Sequence, residues 1–417
     1  MRYGARHVLW GLSHDKRRRE CGRGVRSADG VKVKVTTVDG ARHAGWSGLS
    51  TCGSVWSCPV CSAKIANARQ AELLAAITEW TRRGGRIGFG TVTMRHYAHH
   101  ELTRLWDGLS GARHAMLSGR AWQAEQRDAG VLMPRVIHSG SRAGDTVLES
   151  LIPVVGVVEG THGVNWWHLH LHMVLFLSAE ATSESFDLLG SQLFMRWRDS
   201  LGAAGLPLPN FRHGKDFQLV EGDAATRLAD YFCKGQYEGS IPDFAAEAVA
   251  ARRGISLEVT RSDMKDASHG NKTPFGLLRG LVEVTRSGDM GVNTVESIER
   301  DTEIWHEWER CSAGRRQISW TPGLREFLGV GALLTDDELA AKDFGNPDEV
   351  HGIDSLTHKL IIACRADGQV LTAFERSELD GWRFLSVFSG AADYVISDRL
   401  SLAEAAVRCR RRLRAAS

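Results

Sequence analysis

The stretch Trp167-His168-Leu169-His170-Leu171-His172-Met173-Val174-Leu175-Phe176 constrains this chain more than any other. Imidazoles alternate with apolar side chains before a continuous apolar run begins. On a β-strand, alternate residues face the same side. His168, His170 and His172 therefore share one face, and Leu169, Leu171 and Met173 share the other. Three imidazoles in a row on a core strand are costly unless something organises them, and a divalent cation is the natural organiser. The plain alternative is a row of solvated histidines on an edge strand. Pro153 to Glu159 reads as a buried, Val-rich strand, and Trp166 to Leu177 as its antiparallel partner, with Thr161-His162-Gly163 opening the connection. Glu159 closes the first strand. Its carboxylate reaches the same cation in one register of the hairpin, which the sequence leaves open.

The second constraint is Cys52-x5-Cys58-Pro59-Val60-Cys61. A Cys-x2-Cys knuckle aims two thiolates at one metal, and tetrahedral zinc needs four ligands. Three lie close in sequence. Cys21 is the first candidate for the fourth, because Cys21-Gly22 repeats Cys52-Gly53 locally, and His43 is the second. Buried free thiols and a redox pair are the competing readings. The third nearby cysteine and the basic surroundings favour zinc. Eight cysteines in 417 residues do not make a secreted disulfide scaffold.

Length bounds the organisation at two or three domains, at roughly 150 residues each. The net charge of +2 hides an uneven distribution: residues 1–100 carry 17 Lys/Arg against 6 Asp/Glu. The tail Arg408-Cys409-Arg410-Arg411-Arg412-Leu413-Arg414 is basic too. Basic ends on a near-neutral chain suit an anionic partner such as nucleic acid, or simply a solvated surface. Val8 to Leu12 is too short for a signal peptide and runs into Asp15-Lys16-Arg17-Arg18-Arg19. No apolar stretch reaches the roughly 18 residues of a membrane span. A cytoplasmic protein without membrane partners is expected.

The elements read as α+β. Residues 1–50 look irregular and strand-like, with Val31 to Val35 alternating. A helix is expected over 62–83, a strand from Ile87 to Met94, and a helix over 100–117. Residues 125–150 read as a loop or insertion. Helices follow over 183–201, 224–235 and 242–253, with a short strand from Phe217 to Val220. From about 295 the pattern is mainly helical, and Thr335-Asp336-Asp337-Glu338 is a capping box. Tyr231-Phe232-Cys233-Lys234 falls in a short predicted helix, with Tyr231 and Lys234 on one face. A phenol, with a free pKa of about 10, is a poor nucleophile unless a cation assists it. By itself the pair reads as a core tyrosine beside a solvated lysine.

Together these residues resemble the rolling-circle replication initiator (Rep) proteins of bacterial plasmids, within the HUH endonuclease superfamily, and most of all the Rep proteins of actinobacterial plasmids. Gly90-Thr91-Val92-Thr93-Met94-Arg95-His96 looks like the first motif. His170-Leu171-His172 matches the metal motif, and Tyr231-x-x-Lys234 the nucleophile motif. The cysteine segments look like the region that often precedes them, and Gly314-Arg315-Arg316-Gln317-Ile318-Ser319-Trp320 like a segment common beyond the core. The resemblance spans roughly residues 20–340.

The resemblance implies an HUH-endonuclease core with a central antiparallel sheet flanked by helices over 85–285. A basic region with a small zinc module over 1–84 precedes it. A mainly helical region over 286–417, for binding DNA or a partner, follows. The implied reaction is nicking of one strand at the plasmid's double-strand origin. Tyr231 attacks the phosphodiester and becomes joined to the 5′ end, and a 3′ hydroxyl primer is freed. His170 and His172 hold Mg²⁺ or Mn²⁺, with Glu159 or His168 as a further ligand. Lys234 stabilises negative charge. Trp166 and Trp167 stack unpaired bases or pack in the core. Origin DNA, a host helicase and polymerase, and a second copy of the chain are the implied partners. One departure is Arg227, where some branches carry a glutamate for termination. Asp230, Asp223, Glu221 or Tyr237 are the substitutes. Competing functions are a relaxase or transposase of the same superfamily, and a non-catalytic zinc-dependent DNA-binding regulator.

Overall fold

The computed structural model describes residues 2–38, 40–137, 140–220, 272–287, 292–342, 346–397 and 399–416. Ten strands lie among them: β1 (Val31–Val38), β2 (Ala41–Ser47), β3 (Arg86–Thr93), β4 (Val131–Val136), β5 (Thr146–Leu151), β6 (Val154–Gly163), β7 (Trp166–Leu177), β8 (Lys215–Val220), β9 (Ile318–Trp320) and β10 (Glu349–Ile353). All pair antiparallel, so the architecture is α+β. The chain divides into two compact units. One comprises Met1–Ser62, Leu278–His306 and Thr335–Ser417, and the other Ala63–Leu277 and Glu307–Leu334.

The first unit is built on a three-stranded sheet in the order β10-β1-β2. The alternation in β1 decides its faces. Val31, Val33 and Val35 are buried, while Lys32 and Lys34 face the other way. The valines pack with Trp46, Ile353 and the helices Ser355–Ala363, Asp367–Arg376, Glu378–Ile396 and Leu402–Ala416 through Leu360, Val370, Phe374 and Phe388. The N-terminal helix Arg2–Leu12 buries Ala5 and Leu9, and Arg6 and His7 both bond the fully buried Asp367. Burial alone would raise the Asp367 carboxyl; hydrogen bonding from His7 and the charge of Arg6 prevail and hold it down.

In the second unit the sheet runs β8-β3-β7-β6-β9, with the histidine strand at its centre. Ile87, Phe89, Val155, Val157, Val174 and Phe176 face Leu73, Ala76, Ile77 and Trp80 of the helix Pro59–Arg82. The opposite face carries the helices Leu102–Met116 and Ser183–Ala203, whose Trp106, Phe194 and Trp197 are fully buried. Among the described residues no helix is long and apolar enough to cross a membrane.

Three local expectations change. The first 50 residues begin with two helices, Arg2–Leu12 and Lys16–Glu20, before the strands start. Residues 125–150 are ordered as the end of the helix Gly119–Ala129 and most of the β4–β5 hairpin. That segment is polar because most of it is exposed: among its described residues Met133 is the buried one, and Trp122 and Leu151 flank it in the interior. The later chain is mainly helical, yet it supplies β9 and β10, one edge strand to each main sheet. The helices expected over 224–235 and 242–253 lie outside the described residues.

Candidate metal centres

In the first unit Cys21, Cys52, Cys58 and Cys61 converge, all buried. The sulfurs of Cys21 and Cys58 stand 3.7 Å apart, those of Cys21 and Cys61 3.5 Å, and those of Cys52 and Cys61 3.8 Å. Zinc held at about 2.3 Å by four thiolates places tetrahedral sulfurs at about 3.8 Å from each other. The donors fit such an ion. Two copies of one local geometry supply the outer ligands. Gly22 (φ 75°) and Gly53 (φ 63°) follow Cys21 and Cys52 in the left-handed region. A Cβ at Gly22 would lie 2.1 Å from the Arg6 guanidinium, and one at Gly53 1.8 Å from the Asp337 carboxylate. The other two ligands come from the start of the helix Pro59–Arg82: Cys58 precedes it and Cys61 lies in its first turn. Hydrogen bonding among the neighbouring thiols, then burial, pushes the Cys58 thiol well up, so the four do not ionise together without a cation. His43 sits on β2 opposite Thr36 and is not in the group.

In the second unit Glu159, His170 and His172 form the other group. The hairpin register places Glu159 directly opposite His170. The same oxygen, Glu159 Oε2, lies 2.9 Å from His170 Nε2 and 3.1 Å from His172 Nε2. Thr91 on β3 pairs with His172, and its Oγ1 lies 3.0 Å from His172 Nδ1. A proton on Nδ1, donated to the Thr91 hydroxyl, leaves the Nε2 lone pair for a metal. Phe89 stacks on the same ring, centroids 5.7 Å apart. The Nδ1 of His170 is buried with no hydrogen-bond partner. These three side chains can hold a metal ion and leave it further open positions.

His168 shares the face but stands outside the three-residue group. Its Nδ1 lies 3.0 Å from His96 Nε2. Burial, then the neighbouring His170 and His96, pushes the His168 imidazole down to about 3. Trp167 is fully buried and stacks on Trp308 at 4.6 Å, so it packs in the core. Trp166, at the hairpin end with φ 72°, shares the Glu307 carboxylate with it: both indole N–H groups donate to Oε2, at 3.0 and 2.9 Å. Tyr231, Lys234, Arg227 and Tyr237 lie outside the described residues. The sequence pointed to neither Thr91 as the partner of His172 nor His96 as the partner of His168. The signal for Thr91 was its place on a strand with Thr93 two residues on, but only the strand pairing gives it a partner.

An antiparallel α+β protein with a buried four-thiol cluster and, separately, a His-His-Glu group can hold two metal ions in different roles, and its relatives narrow the class. "Protein rep" of Streptomyces lividans is 33% identical over 362 residues, covering 80% of this chain and 72% of that protein. A "Neomycin resistance protein" of Streptomyces cyanogenus is 25% identical over 169 residues, 37% of this chain and 36% of that one. No family model matches, and no solved structure does. The chain belongs to the Rep family of the actinobacterial plasmid type.

Proposed function

We propose that this protein initiates plasmid rolling-circle replication by nicking one strand of the double-strand origin. The observation that carries the reading is the pair His170 and His172 on the central strand, with both Nε2 atoms turned to the Glu159 carboxylate. The nuclease core is assigned to 85–285 as an HUH-type fold, the zinc-bearing basic region to 1–84, and DNA or partner binding to 286–417. A bound Mg²⁺ or Mn²⁺ would polarise the non-bridging phosphate oxygens. His170, His172 and Glu159 hold its position, Thr91 orients the His172 ring, and His168 lies beside them. The Tyr231 oxygen attacks phosphorus as its proton leaves. The bond from phosphorus to the 3′ oxygen breaks, and that oxygen takes a proton. The products are a 5′-phosphotyrosine and a 3′ hydroxyl primer. Lys234 neutralises charge on the phosphate or phenolate. The four cysteines hold zinc. The protein acts in the cytoplasm on origin DNA, with host helicase and polymerase.

The test incubates purified protein with a single-stranded origin oligonucleotide and Mn²⁺ and looks for the covalent adduct. Wild type forms it, and Tyr231→Phe binds the origin without forming it. An adduct in the Phe variant moves the nucleophile to Tyr237. No adduct with wild type at any divalent ion favours the non-catalytic regulator.

A further inference from the structure

The first unit holds another pair of cysteines, apart from the four at the metal cluster. Cys364 follows the last residue of the helix Ser355–Ala363, and Cys409 lies in the helix Leu402–Ala416. The chain turns at Arg365, whose φ of 55° is left-handed, and the amides of Arg365 and Ala366 bond back to the Ile362 and Ile361 carbonyls. Two contacts then join this helix end to the last helix. Cys364 Sγ lies 3.5 Å from the Ala406 carbonyl oxygen, and Arg410 Nη1 donates to the Ala363 carbonyl at 3.4 Å. Ala406 stands three residues before Cys409, on the same helix face. The Cys364 thiol donates a hydrogen bond to the Cys409 sulfur. Cys409 is fully buried against the helix Glu378–Ile396, its Sγ 3.5 Å from the Val387 carbonyl oxygen, while Cys364 is half-buried.

Hydrogen bonding from Cys364, opposed by burial and aided by the charges of Arg412 and Arg408, holds the Cys409 thiol down. The same bond, then burial, pushes the Cys364 thiol up. The pair therefore gives up one proton and shares the other. One sulfur meets solvent and the second waits behind it, which is the arrangement that thiol–disulfide exchange needs. We propose that Cys364 and Cys409 form an oxidative modification site, which reduces a low-molecular-weight disulfide such as glutathione disulfide and closes into an intramolecular disulfide. With the shared proton on Cys409, the Cys364 thiolate attacks one glutathione sulfur. The glutathione S–S bond breaks, a mixed disulfide forms on Cys364, and the first glutathione thiolate leaves. Cys409 gives up the shared proton and its thiolate attacks the Cys364 sulfur, releasing the second glutathione. Two protein thiols are oxidised, one glutathione disulfide is reduced to two glutathiones, and the two protons pass from the protein to them. The site is separate from the nicking centre and does not depend on that reading.

The test incubates the full chain, metal in place, in glutathione buffers that run from fully reduced to fully oxidised. Acid quenching, alkylation and peptide mapping by mass spectrometry follow. In wild type the peptides of Cys364 and Cys409 come off joined and lighter by two hydrogens. Cys311, buried and bonded to Thr103, is recovered as a free thiol. Cys409→Ser stops at the glutathione adduct on Cys364. It needs roughly tenfold or more oxidised glutathione for half-conversion, because the closing step is intramolecular. Cys364→Ser leaves the buried Cys409 reduced. The deciding readout is wild type alone, so a variant that fails to fold leaves the test intact. Wild type that keeps both thiols free in fully oxidised buffer, or that ends with glutathione on Cys364 and Cys409 free, overturns the proposal.

Discussion

The two candidate centres differ in closure. The cluster of Cys21, Cys52, Cys58 and Cys61 offers four soft donors, all buried, at mutual distances that one ion fills completely. The group of Glu159, His170 and His172 offers three harder donors, with His170 partly exposed. Four closed ligands suit an ion that holds a fold, and three with open positions suit an ion that meets a substrate. The difference extends to their supports. The thiols rest on two left-handed glycines and a helix start, all local devices. The imidazoles rest on the pairing of β3, β7 and β6, so their geometry depends on the whole sheet.

The largest effect should come from opening the closed centre. Cys58→Ser is expected to lose bound metal and unfold the first unit, since structural zinc in small modules contributes on the order of 10 kcal/mol. Elemental analysis with calorimetry checks this, and a variant with unchanged metal content and melting would erase the contrast. Next comes the open centre. His172→Ala and Glu159→Gln should each cut Mn²⁺ affinity by about 100-fold or more with little loss of thermal stability, because open sites serve substrate and not fold. Titration by electron paramagnetic resonance reads the affinity. A large fall in melting temperature would place this centre with the structural one.

Thr91 gives a smaller, sharper test. Thr91→Val keeps the shape and removes the hydroxyl facing His172 Nδ1. Mn²⁺ affinity should fall about tenfold, as for other partners of ligating histidines, and Thr91→Ser should restore it. Nitrogen NMR of His172 should show Nδ1 protonated in wild type and mixed tautomers in the Val variant.

The smallest effect lies away from both metals. His358 is buried against Trp46, and burial, with Arg6 opposing the help from Asp367, pushes its imidazole down to about 4. Its pKa is higher in the unfolded chain, at the ordinary value near 6.5. The unfolded state therefore binds more protons between pH 6.5 and 4, and the first unit loses stability as pH falls through that window. Urea melts at fixed metal should show this slope, flattened in His358→Gln. An unchanged slope in the variant would assign the acid sensitivity to thiol protonation instead.

What the sequence revealed follows the range of the interactions involved. The histidine face was legible because period two is local, and Cys21 was legible because Cys21-Gly22 repeats Cys52-Gly53. The position of Glu159 was legible, but its register was not, since a one-residue slip turns it to the other face. The helix Arg2–Leu12 was hidden by its short apolar stripe, and the β4–β5 hairpin by its exposure. Thr91 and His96 gained their partners only through contacts across the sheet. The pairing of β1 with β10 left no trace in local composition.

That last pairing bears on the order of synthesis. Trp46 donates a hydrogen bond to the backbone of Asp367, 321 residues later. At roughly 5–20 residues per second, a ribosome takes about 15–60 s to cover that distance. During this interval the second unit emerges in full, while β1 waits without its outer neighbour. The first unit is thus assembled last from the first residues made. A message cut short before β10 would leave the valines of β1 without Ile353 and the late helices that cover them.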